Sequence, residues 1–371
     1  MHMRASMPGD AVSEARDDAL TSARLTMPTT GGNCMSIAPD LDLTAFSRYR
    51  LMEGPTPIQH LGRLSKLAGN VDIYVKRDDL MGLGGGGSKL RKLEFLLGEA
   101  LAQGADTIVT VGARQSNHAR LTAAAAARAG LACEIVLTRT VPRDDNDYLH
   151  NGNVLLDQLL GARIHDLPGH ADAMAFAQHR AEDLRKSGRK VYLAPLGGSS
   201  AVGNLGYAAC AAELLGQARE AGVSFDRIAL PNGSGGTHAG LVAGLLSMGE
   251  DPARVVAYNV LATHESTLAN TRLKAQQTLE LIQPAAILPI SGVIVADGQR
   301  GDGYGIPTDA MREAVRLLAS TEGLLLDPVY GGKAFAGLLQ DIRSQAFAPG
   351  SKVLFLMTGG LPGLYAYRSA F

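Results

Sequence analysis

"TIVTVGARQSNHARLTAAAAARAG", residues 107–130, changes character once along its length. Residues 107–113 are β-branched, small or apolar throughout, the composition of a strand buried on both faces. Four polar side chains follow, Gln115, Ser116, Asn117 and His118. An alanine-rich stretch of high helix propensity then runs to Gly130, a residue suited to the left-handed turn after a helix. Ser116 or Asn117 alone would cap that helix. All four together also make a polar small-molecule site, with backbone amides aimed at a carboxylate. A lone histidine such as His118 reads here as a structural hydrogen-bonder.

The same strand–turn–helix unit recurs from residue 50 onward. Apolar, β-rich runs occupy 72–78, 133–138, 191–196, 227–233, 254–261 and 353–360. Helical composition and spacing mark 91–104, 171–187, 203–221, 236–248, 306–322 and 332–345, with Gly104, Gly222 and Gly323 placed as stops. Strands that are apolar on both faces, alternating with helices, predict parallel sheets covered on both sides. The length of 371 residues and the number of strands favour two open, mainly parallel α/β lobes over one sheet. No internal repeat is visible.

Bulk composition excludes several classes. A net charge of −1 gives no basic field for nucleic acid. Apolar residues reach 46%, yet no uninterrupted run is long enough for a transmembrane helix. Cys34, Cys133 and Cys210 are scattered without metal-ligand spacing, so a reduced, cytoplasmic protein without a metal site is expected. Residues 1–45 lack apolar periodicity and a secretory core, and predict a flexible N-terminal extension.

Several strands end in glycine- or hydroxyl-rich turns, where open parallel sheets bind ligands. In "PNGSGGTHAGLVAGLL", residues 231–246, Ser234, Gly235, Gly236 and Thr237 precede a helix and form an anion cradle. The segment lacks both the P-loop ending and the dinucleotide fingerprint. In "GGGGSKLRKLEF", residues 84–95, four glycines run into Lys89, Arg91 and Lys92. Either this is a flexible loop tip, or the backbone comes close to something that both lysines touch. Residues three apart share a helix face, so Lys89 and Lys92 can point at one ligand. Tyr304 in "GDGYGIP" and Tyr330 in "DPVYGGKA" lie in glycine-rich loops, and Thr358 ends the last strand before Gly359 and Gly360.

Together, the segment from "YVKRDDLMGLGGGGSKLRKLEF" through "VGARQSNHARLTAAAAARAG", then "GSGGTHAGL", "GYGIP", "LLDPVYGGKA" and "TGGLPGLYAY", resemble the D-cysteine desulfhydrase and 1-aminocyclopropane-1-carboxylate (ACC) deaminase family. These are pyridoxal 5'-phosphate (PLP) enzymes of the tryptophan-synthase-β fold. The resemblance runs in order from about residue 50 to the C-terminus. It implies PLP in the cleft between two lobes, 46–94 plus 206–371 forming the large PLP-binding domain and 95–205 the small one. It implies that Lys89 carries PLP covalently and that Lys92 contacts its phosphate together with Ser234, Gly235, Gly236 and Thr237. Asn117 is implied at the phenolic oxygen and Thr358 at the pyridine nitrogen. Gln115, Ser116 and Asn117 are implied to bind substrate, and Lys89, Ser116, Tyr304 and Tyr330 to act in catalysis.

The implied reaction is β-elimination on a small amino acid, D-cysteine to pyruvate, hydrogen sulfide and ammonia, by a homodimer. The family commonly has Asn before and Thr after the PLP lysine; here Ser88 and Leu90 stand there. ACC deaminases typically carry an acidic residue after the tyrosine of the DPVY segment and leucine before the last Gly-Gly. Gly331 and Thr358 occupy those positions and favour the desulfhydrase. L-cysteate sulfo-lyase shares the same framework. A non-catalytic binder on this scaffold is the reading from another class; it would be expected to have lost some of these positions, and all are filled.

Overall fold

The computed structural model describes residues 41–371. The expected N-terminal extension lies outside the described residues up to position 40; Leu41 already packs against a hydrophobic cluster of the larger sheet.

Ten strands form two open sheets. They are β1 (Ile58–His60), β2 (Val71–Lys76), β3 (Thr107–Ala113), β4 (Ala132–Arg139), β5 (Arg163–Pro168), β6 (Val191–Leu193), β7 (Arg227–Asn232), β8 (Val255–Asn259), β9 (Ile294–Ala296) and β10 (Ser351–Leu356). The larger sheet has the order β1-β2-β10-β7-β8-β9 and the smaller β5-β4-β3-β6. Every pairing is parallel except β1 with β2. The protein is thus α/β, with two mainly parallel lobes.

The run "VLFL" shows why continuous apolarity belongs to a doubly covered sheet. Leu354 and Leu356 join the cluster under the helices Ala201–Glu220, Gly236–Ser247 and His264–Ile282. Val353 and Phe355 point the other way, into the cluster under Asp309–Glu322 and Gly331–Arg343. Alternate residues thus bury on opposite faces. In the smaller sheet, Ile108 packs on Ala119, Ala123 and Ala126 of the helix Asn117–Ala129, while Val109 and Val111 face Ala177 of the helix Ala173–Lys186.

The helix Lys89–Ala102 joins the two lobes. Leu90, Leu93, Leu96 and Leu97 pack with Leu121 and Ala125 of the smaller one. On its other side, Gly206 of the helix Ala201–Glu220 lies so close to the Arg91 carbonyl that a Cβ would collide with it. Arg91 points away from the lysines. Its guanidinium bonds Asp78 at 2.8 and 2.9 Å and Glu213 at 2.8 and 2.9 Å, and anchors the helix in the larger lobe. Burial would raise the Glu213 carboxyl, but Arg91 and the neighbouring Lys76 ammonium hold it down at about 2. The three basic residues of the glycine-run segment therefore divide between a structural face and a cavity face. Cys133 and Cys210 are free and buried, small apolar fillers whose thiols burial pushes up to about 12.

Candidate active site

The C-terminal ends of β3, β7 and β10 open onto one cavity of about 830 Å³, lined by Lys89, Ser116, Asn117, Ser234, Gly235, Thr237, Tyr304, Tyr330 and Thr358. Segments far apart in sequence meet there because parallel strands put their carboxyl ends on the same edge.

The glycine run is no loop tip. Gly84, Gly85, Gly86 and Gly87 all have positive φ, between 59° and 128°, a region closed to most side chains. A Cβ at Gly86 would sit 2.6 Å from the Met81 carbonyl oxygen and 2.7 Å from that of Asp79. The Ser88 amide then donates to the Thr358 carbonyl at 2.9 Å, which ties the start of the lysine helix to the end of β10. This path delivers Lys89 into the cavity at the first position of its helix.

Burial lowers the Lys89 amine to about 8, against the pull of the Asp327 carboxylate. Asp327 is itself buried, and burial raises it to about 6 although three amides donate to it, from Val329, Tyr330 and Gly331 at 2.7–2.9 Å. Those three bonds fix the start of the helix Gly331–Arg343 and with it Tyr330. The Tyr330 hydroxyl lies 2.6 Å from that of Tyr304. Lys333 holds the Tyr304 loop by donating to the carbonyls of Arg300 and Gly303 at 2.6 and 2.9 Å.

At the other end of the cavity the chain builds an anion seat. Gly235, in the left-handed region at φ 84°, caps the helix Gly236–Ser247 and leaves its first amides without helical partners. Lys92 is fully buried behind Gly236, its ammonium bonded to Ser199 Oγ at 2.9 Å and the Gly197 carbonyl at 3.3 Å. Lys274 donates to the Ser234 carbonyl at 2.6 Å. Among the described residues neither lysine has a carboxylate partner, and burial depresses both amines. Two unneutralised cations beside a helix N-terminus fit a phosphate dianion. The half-buried Thr358 hydroxyl, with no partner among the described residues, offers a neutral group to a ring nitrogen. An aldehyde-bearing phosphate ester such as PLP matches both ends, the amine of Lys89 and the seat at 234–237.

Gln115 departs from expectation. Its amide donates to the carbonyls of Tyr148 and Asn151 at 2.7 and 2.9 Å and accepts from the Asn153 amide at 2.9 Å. Both of its donor hydrogens and one lone pair of its oxygen go to the 148–153 segment, and it is not among the residues lining the cavity. Lys92 and Gly236 also stand one layer behind the wall. Ser116 accepts the Ala119 amide at 3.1 Å as the helix cap, and its own proton has no acceptor among the described residues and is available to an anion. His118 lines the cavity, bonds Thr110 at 2.9 Å, and is held down to about 3 by burial first and then by the neighbouring lysines. It is a neutral wall residue.

Asp327 and Lys274 also belong to the site, and neither carries a motif of its own in the sequence. Asp327 stands in the quoted "LLDPVYGGKA", where an acid before a helix start signals a cap. Lys274 lies on His264–Ile282, a Thr- and Gln-rich helix with no clear apolar stripe to announce it.

Residues 49–359 match a family described as "Pyridoxal-phosphate dependent enzyme". The D-cysteine desulfhydrase of Salmonella newport (strain SL254) is 42% identical over 329 residues, 88% of this chain and 98% of that protein. The D-cysteine desulfhydrase of Salmonella typhi matches to the same extent. A crystal structure of an ACC deaminase homologue superposes with a TM-score of 0.79 at 38% identity, covering 88% of this chain and 96% of the other. A lysine amine, a phosphate seat and a matching fold thus coincide with descent, and the chain belongs to the pyridoxal-phosphate dependent enzyme family.

Proposed function

We propose that this enzyme converts D-cysteine and one water to pyruvate, hydrogen sulfide and ammonia by β-elimination, as a cytoplasmic homodimer. Residues 46–94 with 206–371 serve as its PLP-binding lobe and 95–205 as its small lobe. The observation that carries the chemistry is Lys89, an amine depressed to about 8 in a cavity that also holds two hydrogen-bonded tyrosine hydroxyls. The choice of D-cysteine follows the names of the relatives at 42% identity.

PLP, when bound, supplies the electron withdrawal that makes the substrate Cα–H acidic. The rest falls to side chains of this chain. Ser116 and the first amides of the helix Asn117–Ala129 hold the substrate carboxylate. Lys89, whose amine burial brings close to neutrality, would remove the Cα proton. Tyr330, backed by Tyr304, manages the proton at the departing sulfur. Asn117 serves the cofactor's phenolic oxygen. Ser234, Gly235, Gly236 and Thr237, with Lys92 behind them, hold its phosphate.

Gly331 speaks against ACC deaminase. A Cβ there would lie 3.0 Å from Asp327 Oδ1 and 3.2 Å from Leu326 Cδ2. An acidic side chain at 331 would therefore crowd the carboxylate that fixes Tyr330. The test is product analysis with D-cysteine, L-cysteine, L-cysteate and ACC in turn. Pyruvate with sulfide from D-cysteine alone is the expected result. Pyruvate with sulfite from L-cysteate would move the enzyme to the sulfo-lyases, and 2-oxobutyrate from ACC to the deaminases.

The buried cation at 92 gives an effect of opposite sign in the apo and loaded protein. Lys92→Met, close to volume-conserving, should raise the melting temperature of the apoprotein, because an uncompensated buried amine is removed. It should also weaken PLP binding by roughly 10–100-fold, the worth of a charged hydrogen bond. Calorimetry of the apoprotein and PLP titration followed by absorbance check the two arms.

A further inference from the structure

Asn117 can serve a phenolate only if its amide nitrogen, not its oxygen, faces the cofactor. Nothing in Asn117 itself decides this, since the two ends of a carboxamide are alike in shape and opposite in hydrogen-bonding sense. The decision lies two residues away from the cavity. Arg120, fully buried, is a donor at every nitrogen. Its Nη1 donates to the carbonyls of Gly84 and Gly86 at 2.6 and 2.8 Å, and its Nε donates to Asn153 Oδ1 at 3.0 Å. Because the guanidinium cannot accept, Asn153 must present oxygen to it and nitrogen to its other side. There Asn153 Nδ2 donates to the Gln115 carbonyl at 3.1 Å and to Asn117 Oδ1 at 2.9 Å. Asn117 thus spends its oxygen on Asn153 and is left with Nδ2 for the cavity.

We infer that Asn153 is a positioning residue that transmits the donor sense of Arg120 to Asn117 and so fixes which end of that amide meets the cofactor. The relay is held from both sides. The same Arg120 grips the glycine run that leads to Lys89, so one guanidinium sets the place of the PLP lysine and the polarity of the phenolate partner. Asn153 is fully buried at the start of the helix Asn153–Leu159, after Gly152 at φ 63°. A Cβ on Gly152 would meet the Pro362 carbonyl at 2.6 Å and Gln115 Oε1 at 2.8 Å, so that helix start cannot slide. Gln115, whose amide clamps residues 148–153, belongs to this frame.

The inference rests on the proposed reading of Asn117 at the phenolic oxygen, and the test separates the two. Asn153→Asp keeps the shape and the bond from Arg120 but replaces the donor facing Asn117 by an acceptor. Asn117 should then turn its nitrogen to position 153 and its oxygen to the cofactor. An acceptor beside the phenolic oxygen disfavours its ionised form. The pH midpoint of the visible absorption of PLP-loaded protein should therefore rise by about one unit or more. Asn153→Ala, which imposes neither sense, should shift it less and in the same direction. In an Asn117→Ala background, Asn153→Asp should add nothing further. A shift in Asn117→Ala with none in either Asn153 variant would overturn the inference alone. So would an Asn153→Asp shift of full size that survives in the Asn117→Ala background. An unmoved midpoint in Asn117→Ala would sink the reading of Asn117 itself. Apoprotein melting, recorded for each variant, exposes a merely structural role, which would lower stability without moving the midpoint.

Discussion

Lys89→Ala is expected to abolish the visible absorption of bound PLP and to cut pyruvate formation by roughly 10³-fold or more, since in the proposed mechanism one side chain supplies both the covalent anchor and the base. The two losses are separable. Adding a primary amine should return part of the activity by replacing the base, while cofactor retention stays poor. The intact protein should show the companion pH dependence. Only the neutral amine attacks an aldehyde, and burial lowers Lys89 to about 8. The rate at which apoprotein takes up PLP should therefore climb as pH rises toward 8 and level off above it, where the amine is already deprotonated. Stopped-flow absorbance reads this rate. A rate that fell with rising pH, or an unperturbed band in Lys89→Ala, would remove Lys89 from the centre of the site. Lys89 is set apart from Lys92 by position alone. The glycine run turns the chain so that the first lysine enters the cavity and the second remains behind its wall.

Much of this arrangement is legible in the sequence, and the illegible parts share a cause. Strands buried on both faces announce themselves by unbroken apolar runs, so 107–113, 227–233 and 353–360 foretell β3, β7 and β10, whose ends form the cavity. β5, "RIHDLP", is an edge strand carrying polar side chains, and β1 and β9 are three residues long. Such strands are fixed by pairing with neighbours, which a linear pattern does not contain. Helix His264–Ile282 is hidden for a related reason, three of its five buried positions, 267, 271 and 278, being threonines. At the site, motif spacing brings Lys89, Asn117, Ser234, Thr237, Tyr304, Tyr330 and Thr358 to one cavity. The same spacing misleads at Gln115, because adjacent residues at a helix start point in different directions. Ser116 and Asn117 face the cavity, and Gln115 meets the 148–153 backbone. Asn153 and Asp327 act through partners rather than through the cavity, and their importance is a matter of contacts.

Tyr330→Phe should cost roughly 10²-fold in kcat, Tyr304→Phe about 10-fold, and the double variant no more than Tyr330→Phe alone. The inequality follows from the pair's geometry. Two hydroxyls 2.6 Å apart share one proton donor role between them, so one phenol must accept from the other. Burial lifts both above the ordinary phenol value. With Tyr330 presenting its proton to the substrate, as the proposed reading has it, Tyr304 donates to Tyr330 and stabilises the anion left behind. The scaffold treats them accordingly. Tyr330 stands at the start of a helix pinned by Asp327, its ring edge against Gly233, where a Cβ would come within 3.0 Å. Tyr304 sits on a loop held by the two carbonyl bonds of Lys333. If both act on a proton after substrate has bound, as proposed, KM should move less than kcat in each variant. Fully multiplicative losses in the double variant would mean that the tyrosines serve separate steps. A neutral Tyr330→Phe would mean that the departing sulfur leaves without a proton from this pair.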